Sequence, residues 1–297
     1  MTSKYIHSNV PAIPKTEFSF LSSRAFRARR PTPGTRRKSM LFRSLKPLLA
    51  DEHPLRLIWL ALGSAPMVEF AAQANPDAIV IDLQHGLWER TTLEAAIGAV
   101  GTRVPVIARC AENSHSAISQ ALDAGAASVL VPLIETADDA RRAVLAGRYP
   151  PVGKRSAGGV RPLRAGFEAM RDADREVAIG LMIETAEGVE NVEAIAATPG
   201  VDYLFIGTGD LAMSRGTVDS QVIDRDCERV VRAASENGLP CGIFTGNTRA
   251  VHQAFERGCR MAVSANDIDV VKQGFLQVRE EAKDDARGST QGTRFSF

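Results

Sequence analysis

At 297 residues the chain can form one large domain or two small ones, and its 44% hydrophobic content supplies an ordinary globular core. The 36 Lys and Arg nearly cancel the 35 Asp and Glu, so no global field draws nucleic acid or an anionic membrane. Cys110, Cys227, Cys241 and Cys259 show no CxxC spacing, which excludes a metal finger or disulfide scaffold and fits reduced thiols in the cytoplasm.

The overall balance hides an asymmetry, because the first 46 residues hold 11 Lys and Arg against one acid, Glu17. Residues 1–40 lack apolar periodicity and carry five Pro and Gly punctuators at Pro11, Pro14, Pro31, Pro33 and Gly34. They read as a disordered basic extension, whose Arg- and Ser-rich composition also fits a mitochondrial transit segment. Without interleaved aromatics or a folded platform, this stretch is not read as a nucleic-acid site. No apolar run approaches the ~18 residues of a membrane span.

From residue 41 strand-like and helix-like patterns alternate. Leu41–Leu49 reads as helical and Leu57–Leu62 as the first strand. Pro66–Ala74 is helical, and Ala78–Leu83 is an apolar run closed by Gln84-His85-Gly86. Helix Glu89–Val100, strand Val104–Ala108 and helix Ser114–Ala124 follow. Next come strand Ser128–Val131 and helix Ala137–Ala146, with Gly125 and Gly147 as stops after the two helices. Tyr149–Gly166 is a basic Gly/Pro-rich loop, a type that is usually functional or mobile. Helix Glu168–Glu176, strand Ala178–Ile183, helix Glu187–Ala197 and strand Tyr203–Ile206 lead to a polar stretch at Ser214–Ser220. Helix Ile223–Asn237, strand Pro240–Phe244, helix Thr248–Arg257, strand Met261–Ser264 and helix Ile268–Lys283 end the ordered pattern, with a frayed tail from Asp284. About eight strands alternating with helices predict a (β/α)₈ barrel, normally ~250 residues. An open doubly wound sheet is the alternative, weakened by the lack of a Gly-x-Gly-x-x-Gly after the first strand.

In a barrel the C-terminal strand ends converge on one face. Here they bring Gln84, His85, Arg109, Pro132, Glu184 and Asp210 together. Two carboxylates at neighbouring strand ends repel unless a cation sits between them, and a divalent ion with oxygen ligands (Mg²⁺, Mn²⁺ or Co²⁺) answers that need. The competing expectation is that Glu184 caps a helix and Asp210 starts a turn. His85 can move a proton, Arg109 can stabilise an oxyanion, and the amides of Gly207-Thr208-Gly209-Asp210 can cradle a carboxylate. This inventory suits proton abstraction beside the carbonyl of a 2-oxo acid. No Lys ends a strand in this set, so Schiff-base chemistry has no obvious nucleophile.

Several of these segments together resemble the HpcH/HpaI aldolase family, metal-dependent enzymes acting on 2-oxo acids. They are Ile-Asp-Leu-Gln-His-Gly, the Arg109 strand end, Leu-Asp-Ala-Gly-Ala at 122–126 and Leu-Val-Pro-Leu-Ile-Glu-Thr at 130–136. Pro-Pro-Val-Gly-Lys-Arg-Ser, Met-Ile-Glu-Thr and Phe-Ile-Gly-Thr-Gly-Asp-Leu complete the set. The likeness runs from about residue 42 to 280. It implies His85 as catalytic base, Asp123 as the acid paired with it, Arg109 on the enolate, Glu184 and Asp210 as metal ligands, and Gly209 with the Asp210 amide on the pyruvate carboxylate. It further implies a barrel in hexamers, with the last helix packed on a neighbouring subunit. Met182 stands where the characterised aldolases have Gln against the substrate, and Ser264-Ala265-Asn266-Asp267 replaces a Gly-Ser-Asp. The expected activity is reversible cleavage of a 4-hydroxy-2-oxo acid to pyruvate and an aldehyde. The alternatives are a CoA-thioester lyase, using the basic loop to dock the nucleotide, and a barrel that has lost its chemistry and serves as a binding protein.

Overall fold

The computed structural model describes residues 42–288. The expectations for residues 1–40 and for the end of the tail lie outside them.

A short helix α1 (Lys46–Ala50) precedes β1 (Leu55–Leu60). The chain then runs α2 (Ala65–Gln73), β2 (Ala78–Asp82), α3 (Arg90–Val100), β3 (Val106–Arg109), α4 (His115–Asp123), β4 (Ser128–Val131) and α5 (Ala137–Gly147). After the short α6 (Val160–Arg164) and α7 (Phe167–Glu176) come β5 (Ala178–Ile183), α8 (Ala186–Glu190), α9 (Val192–Ala196) and β6 (Tyr203–Ile206). The last third is α10 (Thr208–Arg215), α11 (Ser220–Glu236), β7 (Cys241–Ile243), α12 (Thr248–Glu256), β8 (Met261–Asn266) and α13 (Asp267–Gly288). All eight strands are parallel and pair in chain order, with β1 also against β8, so the sheet closes into a barrel. The predicted (β/α)₈ fold is therefore the observed one, and no helix of the described residues is long and apolar enough to cross a membrane.

Two apolar layers follow from the two-residue period of each strand. Leu55, Leu57, Trp59, Ala78, Val80, Ile107, Leu130, Ala178, Met182, Tyr203, Phe205, Met261 and Val263 fill the barrel. Ile79, Ile81, Ala108, Val129, Ile179, Ile183, Leu204 and Ile206 point outward against the helices. Gly180 makes room inside: a Cβ there would lie 2.0 Å from the ring of Tyr203, whose hydroxyl sits 3.0 Å from the Ser128 hydroxyl.

The departures from expectation fall between the strands. The loop Tyr149–Gly166 contains α6 and a cis Pro150–Pro151 bond. The single helix expected at Glu187–Ala197 is two, broken at Asn191, whose side-chain amide donates to the Glu135 carbonyl at 2.9 Å. The turn expected after β6 is helix α10, and the polar stretch at Ser214–Ser220 is mostly the link from α10 to α11. Helix α13 runs on to Gly288, past the expected end at Lys283. In β8 the register against β1 slips after Leu57, leaving Ser264 as a bulge whose hydroxyl donates to the Leu57 carbonyl at 3.0 Å. The bulge sets the course of the chain into Asn266 and Asp267, and the Asp267 carboxylate accepts from the Ala61 and Leu62 amides at 2.9–3.1 Å. The eighth and first strand ends are tied together by that one side chain.

Candidate active site

The inward alternation that builds the barrel interior continues for one more step at the C-terminal ends, and there the side chains become polar. Ala78 and Val80 face inward, and so does Asp82. Ile107 is followed by Arg109, Met182 by Glu184, and Phe205 by Gly207. The top layer of the barrel is thus a ring of functional groups on rigid strands. It floors an open cleft of about 460 Å³ lined by Trp59, Asp82, His85, Arg109, Met182 and the Gly207–Asp210 backbone, among others.

Asp82 and Arg109 are register partners on β2 and β3 and pair side by side: Nε donates to Oδ1 at 2.9 Å and Nη2 to Oδ2 at 2.6 Å. Both are nearly inaccessible to solvent. Asp82 Oδ1 also accepts from the amides of Gln84 and His85 at 3.0 and 3.2 Å, and Oδ2 from the Trp59 indole at 3.2 Å. One carboxylate therefore orients the arginine and shapes the turn that carries the histidine. Burial alone would raise its pKa, but the Arg109 bonds and charge, the His85 amide and the Trp59 indole together hold it below the ordinary carboxylate value. Arg109 lies over the Trp59 ring at 5.1 Å, and its remaining Nη1 is 3.9 Å from the Met182 sulfur. A guanidinium fixed by two bonds and a ring face keeps one edge for a substrate oxygen. Reasoning from sequence did not single out Asp82, although it is part of Ile-Asp-Leu-Gln-His-Gly. Its inward parity with Ala78 and Val80 was the signal.

Glu184 is fully buried. Its Oε1 accepts from the Leu133 amide at 2.9 Å, where Leu133 has φ 54°, and its Oε2 has no partner. Burial first, then the charge of Asp210, push its pKa up to about 7 from 4.5. Gly207 leaves the space above: a Cβ there would lie 2.6 Å from Glu184 Oε2. Asp210 sits in the first turn of α10, so the two expected metal-binding carboxylates do approach one another. A buried, unsatisfied carboxylate oxygen beside a second carboxylate fits a divalent cation, which removes the repulsion and fills the orphan site. No cluster of three or more His, Cys, Asp or Glu suited to a metal occurs among the described residues. Two carboxylates with room for waters and substrate oxygens suit an oxygen-liganded divalent ion rather than a closed zinc site.

The amides of Thr208, Gly209 and Asp210 open α10, whose first internal bond runs from the Leu211 amide to the Gly207 carbonyl at 3.0 Å. They form a helix N-terminus rather than the expected loop, an arrangement that suits a carboxylate equally well. Met182 is buried on the floor of the cleft, a thioether with no strong donor.

Asp123 departs from expectation. It ends α4, which starts above β3 and runs back toward the N-terminal end of β4, on the side of the barrel opposite the cleft. There its Oδ1 accepts from Arg155 Nη2 at 2.8 Å, and Arg155 stacks on Tyr149 at 4.5 Å. The His85–Asp123 pairing implied by the resemblance is not made within this chain, because helix α4 carries the acid away from the strand ends. The basic loop is also committed: Arg155 is buried against Asp123, and Arg161 donates to the Glu94 carbonyl. That removes two of the cations expected to dock a nucleotide.

Comparison with known proteins decides the family. The family model for HpcH/HpaI aldolase/citrate lyase matches residues 56–273, the whole barrel from β1 into α13. The chain belongs to the HpcH/HpaI aldolase/citrate lyase family. It is 37% identical over 226 residues to a 4-hydroxy-2-oxovalerate aldolase of Novosphingobium aromaticivorans, covering 73% of this chain and 86% of the relative. It is 35% identical over 254 residues to a hydroxypyruvate/pyruvate aldolase of Paraburkholderia phytofirmans, covering 80% and 97%. A crystal structure of a family protein from Burkholderia cenocepacia superposes with a TM-score of 0.76 at 34% identity, covering 80% of this chain and 98% of that one. In this HpcH/HpaI chain the ring of Asp82, His85, Arg109, Glu184 and Asp210 is therefore the candidate active site of an aldolase.

Proposed function

We propose that the protein is a metal-dependent aldolase, a carbon–carbon lyase that reversibly cleaves a 4-hydroxy-2-oxo acid to pyruvate and an aldehyde. The observation that carries the reading is the unpartnered Glu184 Oε2, buried beside Asp210 under a cleft that also presents Arg109 and His85. Glu184 and Asp210 would hold the ion, and an ion bound there would supply Lewis acidity toward the 2-oxo group. The Thr208–Asp210 amides take the substrate carboxylate. Arg109 Nη1 faces the 2-oxo oxygen and stabilises the charge that develops on it. His85 takes the proton from the 4-hydroxyl as the C3–C4 bond breaks, the bonding pair passing to the enolate and the aldehyde leaving. Protonation at C3 then releases pyruvate, and the reverse sequence joins the two. Asp82 holds Arg109 and the His85 turn in place throughout.

The same reading takes the protein as a cytoplasmic homo-oligomer. All four cysteines are free and buried, as suits a reducing compartment. Helix α13 turns an apolar stripe away from the barrel, which a second copy of this chain would cover.

With Mn²⁺ or Mg²⁺ the protein releases pyruvate from 4-hydroxy-2-oxo acids and exchanges the methyl protons of pyruvate with solvent. Exchange needs no knowledge of the aldehyde. Glu184→Ala abolishes both, and an active Glu184→Ala protein would remove the metal role assigned to that carboxylate.

A further inference from the structure

Trp59, Phe244, Asn266, Ile268 and Asp269 line one wall of the cleft together with the Arg109 and Gly207–Asp210 groups. Arg109 is the one Lys or Arg lining the cleft among the described residues, and Asp82 already takes two of its three nitrogens. Asp267, next to this wall, spends both oxygens on the Ala61 and Leu62 amides. Asp269 is exposed in the first turn of α13. Its Oδ2 accepts from Asn266 Nδ2 at 2.7 Å, and its amide donates to Asn266 Oδ1 at 2.9 Å. No hydrogen bond or ion pair from a Lys, Arg or His to it occurs among the described residues.

We propose that the cleft selects uncharged, hydroxyl-bearing aldehydes and rejects acceptors that carry a second acidic group, with Asp269 as the residue that enforces the choice. The inference rests on the aldolase reading and specifies its substrate class. An acceptor hydroxyl can donate to the free oxygen of Asp269 and accept from the second N–H of Asn266 Nδ2. An acceptor carboxylate or sulfonate meets the Asp269 carboxylate, to which no Lys, Arg or His is bonded among the described residues. Discrimination built from repulsion works without any gain in contacts to the favoured partner. One uncompensated like-charge contact at ~4 Å in a solvated cleft is worth about fivefold in kcat/KM.

The test compares two three-carbon acceptors in condensation with pyruvate and Mn²⁺: neutral glyceraldehyde and anionic tartronate semialdehyde. In the wild-type protein kcat/KM for glyceraldehyde exceeds that for the semialdehyde, and Asp269→Asn narrows the ratio about fivefold. The amide oxygen of the new side chain can still accept from Asn266 Nδ2, so the start of α13 is kept. Asp269→Ser, shorter and also uncharged, narrows the ratio in the same direction. Exchange of pyruvate methyl protons on the same preparations reports the shared chemistry separately. Equal or better use of the anionic acceptor by the wild type overturns the proposal, as does a ratio unmoved in both variants. Loss of exchange in the wild type itself overturns the aldolase reading, and this inference with it.

Discussion

Asp82 is the side chain on which the site turns. It is the common acceptor for Arg109, the Trp59 indole and the amides of Gln84 and His85. Asp82→Asn leaves the buried guanidinium without its counter-charge, a change that costs about 3 kcal/mol of stability. It also frees Arg109 and the His85 turn to move, and misplacement of that kind costs about 100-fold in kcat/KM. Urea unfolding and the exchange assay read the two effects separately. The sequence announced Arg109 and His85 because a cation or an imidazole after an apolar strand is conspicuous. It hid Asp82 because the apolar run reads on through Leu83, which puts the acid inside the expected strand and leaves Gln84 and His85 as its visible end. Its parity with Ala78 and Val80 on β2 places it inside the barrel.

Glu184 makes a prediction about pH. In the metal-free protein its pKa is raised from 4.5 to about 7, so between those values the folded state keeps a proton that the unfolded chain has released. Stability therefore falls as pH rises through that window. The difference, 7 minus 4.5 or about 2.5 units, corresponds to on the order of 3 kcal/mol. Glu184→Gln lacks this titration, so the gap between wild type and variant in thermal or urea melts shifts in favour of the variant from pH 5 to 8. Saturating Mn²⁺ reverses the trend for the wild type, because the ion stabilises the charged form. A gap independent of pH would remove the buried-carboxylate account.

At the scale of elements, the eight strands were legible because buried parallel strands read as short apolar runs closed by Gly, Pro or a charged residue. Ser128–Val131, Ala178–Ile183 and Tyr203–Ile206 begin and end where the pattern places them. The connections were less legible. Two glycines in Gly207-Thr208-Gly209-Asp210 signal a turn, yet Gly207 precedes a helix, with φ −98° and ψ 86°. Its missing side chain serves Glu184 instead of backbone freedom. Gly207→Ala keeps an allowed φ, but the added methyl lies 2.6 Å from Glu184 Oε2, 2.8 Å from Glu184 Cβ and 3.0 Å from the Met182 methyl, so the whole Glu184 side chain has to shift. We expect Mn²⁺ affinity by calorimetry to fall at least about tenfold with an unchanged circular dichroism spectrum, since a shift of the Glu184 side chain moves its carboxylate off the ion. Unchanged affinity would show that the ion does not bind at Glu184. Asp123 shows the converse lesson at this scale: a motif match carries a residue's type, while the direction of α4 decides which neighbours it meets.

At the scale of the whole molecule, closure of the sheet leaves no strand edge to pair with another chain, so association has to use helices or loops. Helix α13 offers the means. Ile268, Val271, Lys272, Phe275, Leu276 and Arg279 recur at helical spacing and, with Leu62, line one open groove of about 530 Å³. Phe275 is 74% exposed, a large aromatic left in water unless something covers it. A stripe at positions i, i+3, i+4, i+7 and i+8 is what a second helix or a hydrophobic wall of another copy packs against. Because α13 begins at Asp267 and carries Asp269, which lines the cleft, the assembly stripe and the proposed acceptor-selecting residue share an element. Phe275→Asp places a charge in the middle of the stripe, and burying it unpaired at an interface costs several kcal/mol. Sedimentation of the wild type should show an oligomer that the variant reduces to smaller species at the same concentration. The residual exchange activity of those species then tells whether one barrel suffices for enolisation. A monomeric wild type would leave the α13 stripe without the partner assigned to it.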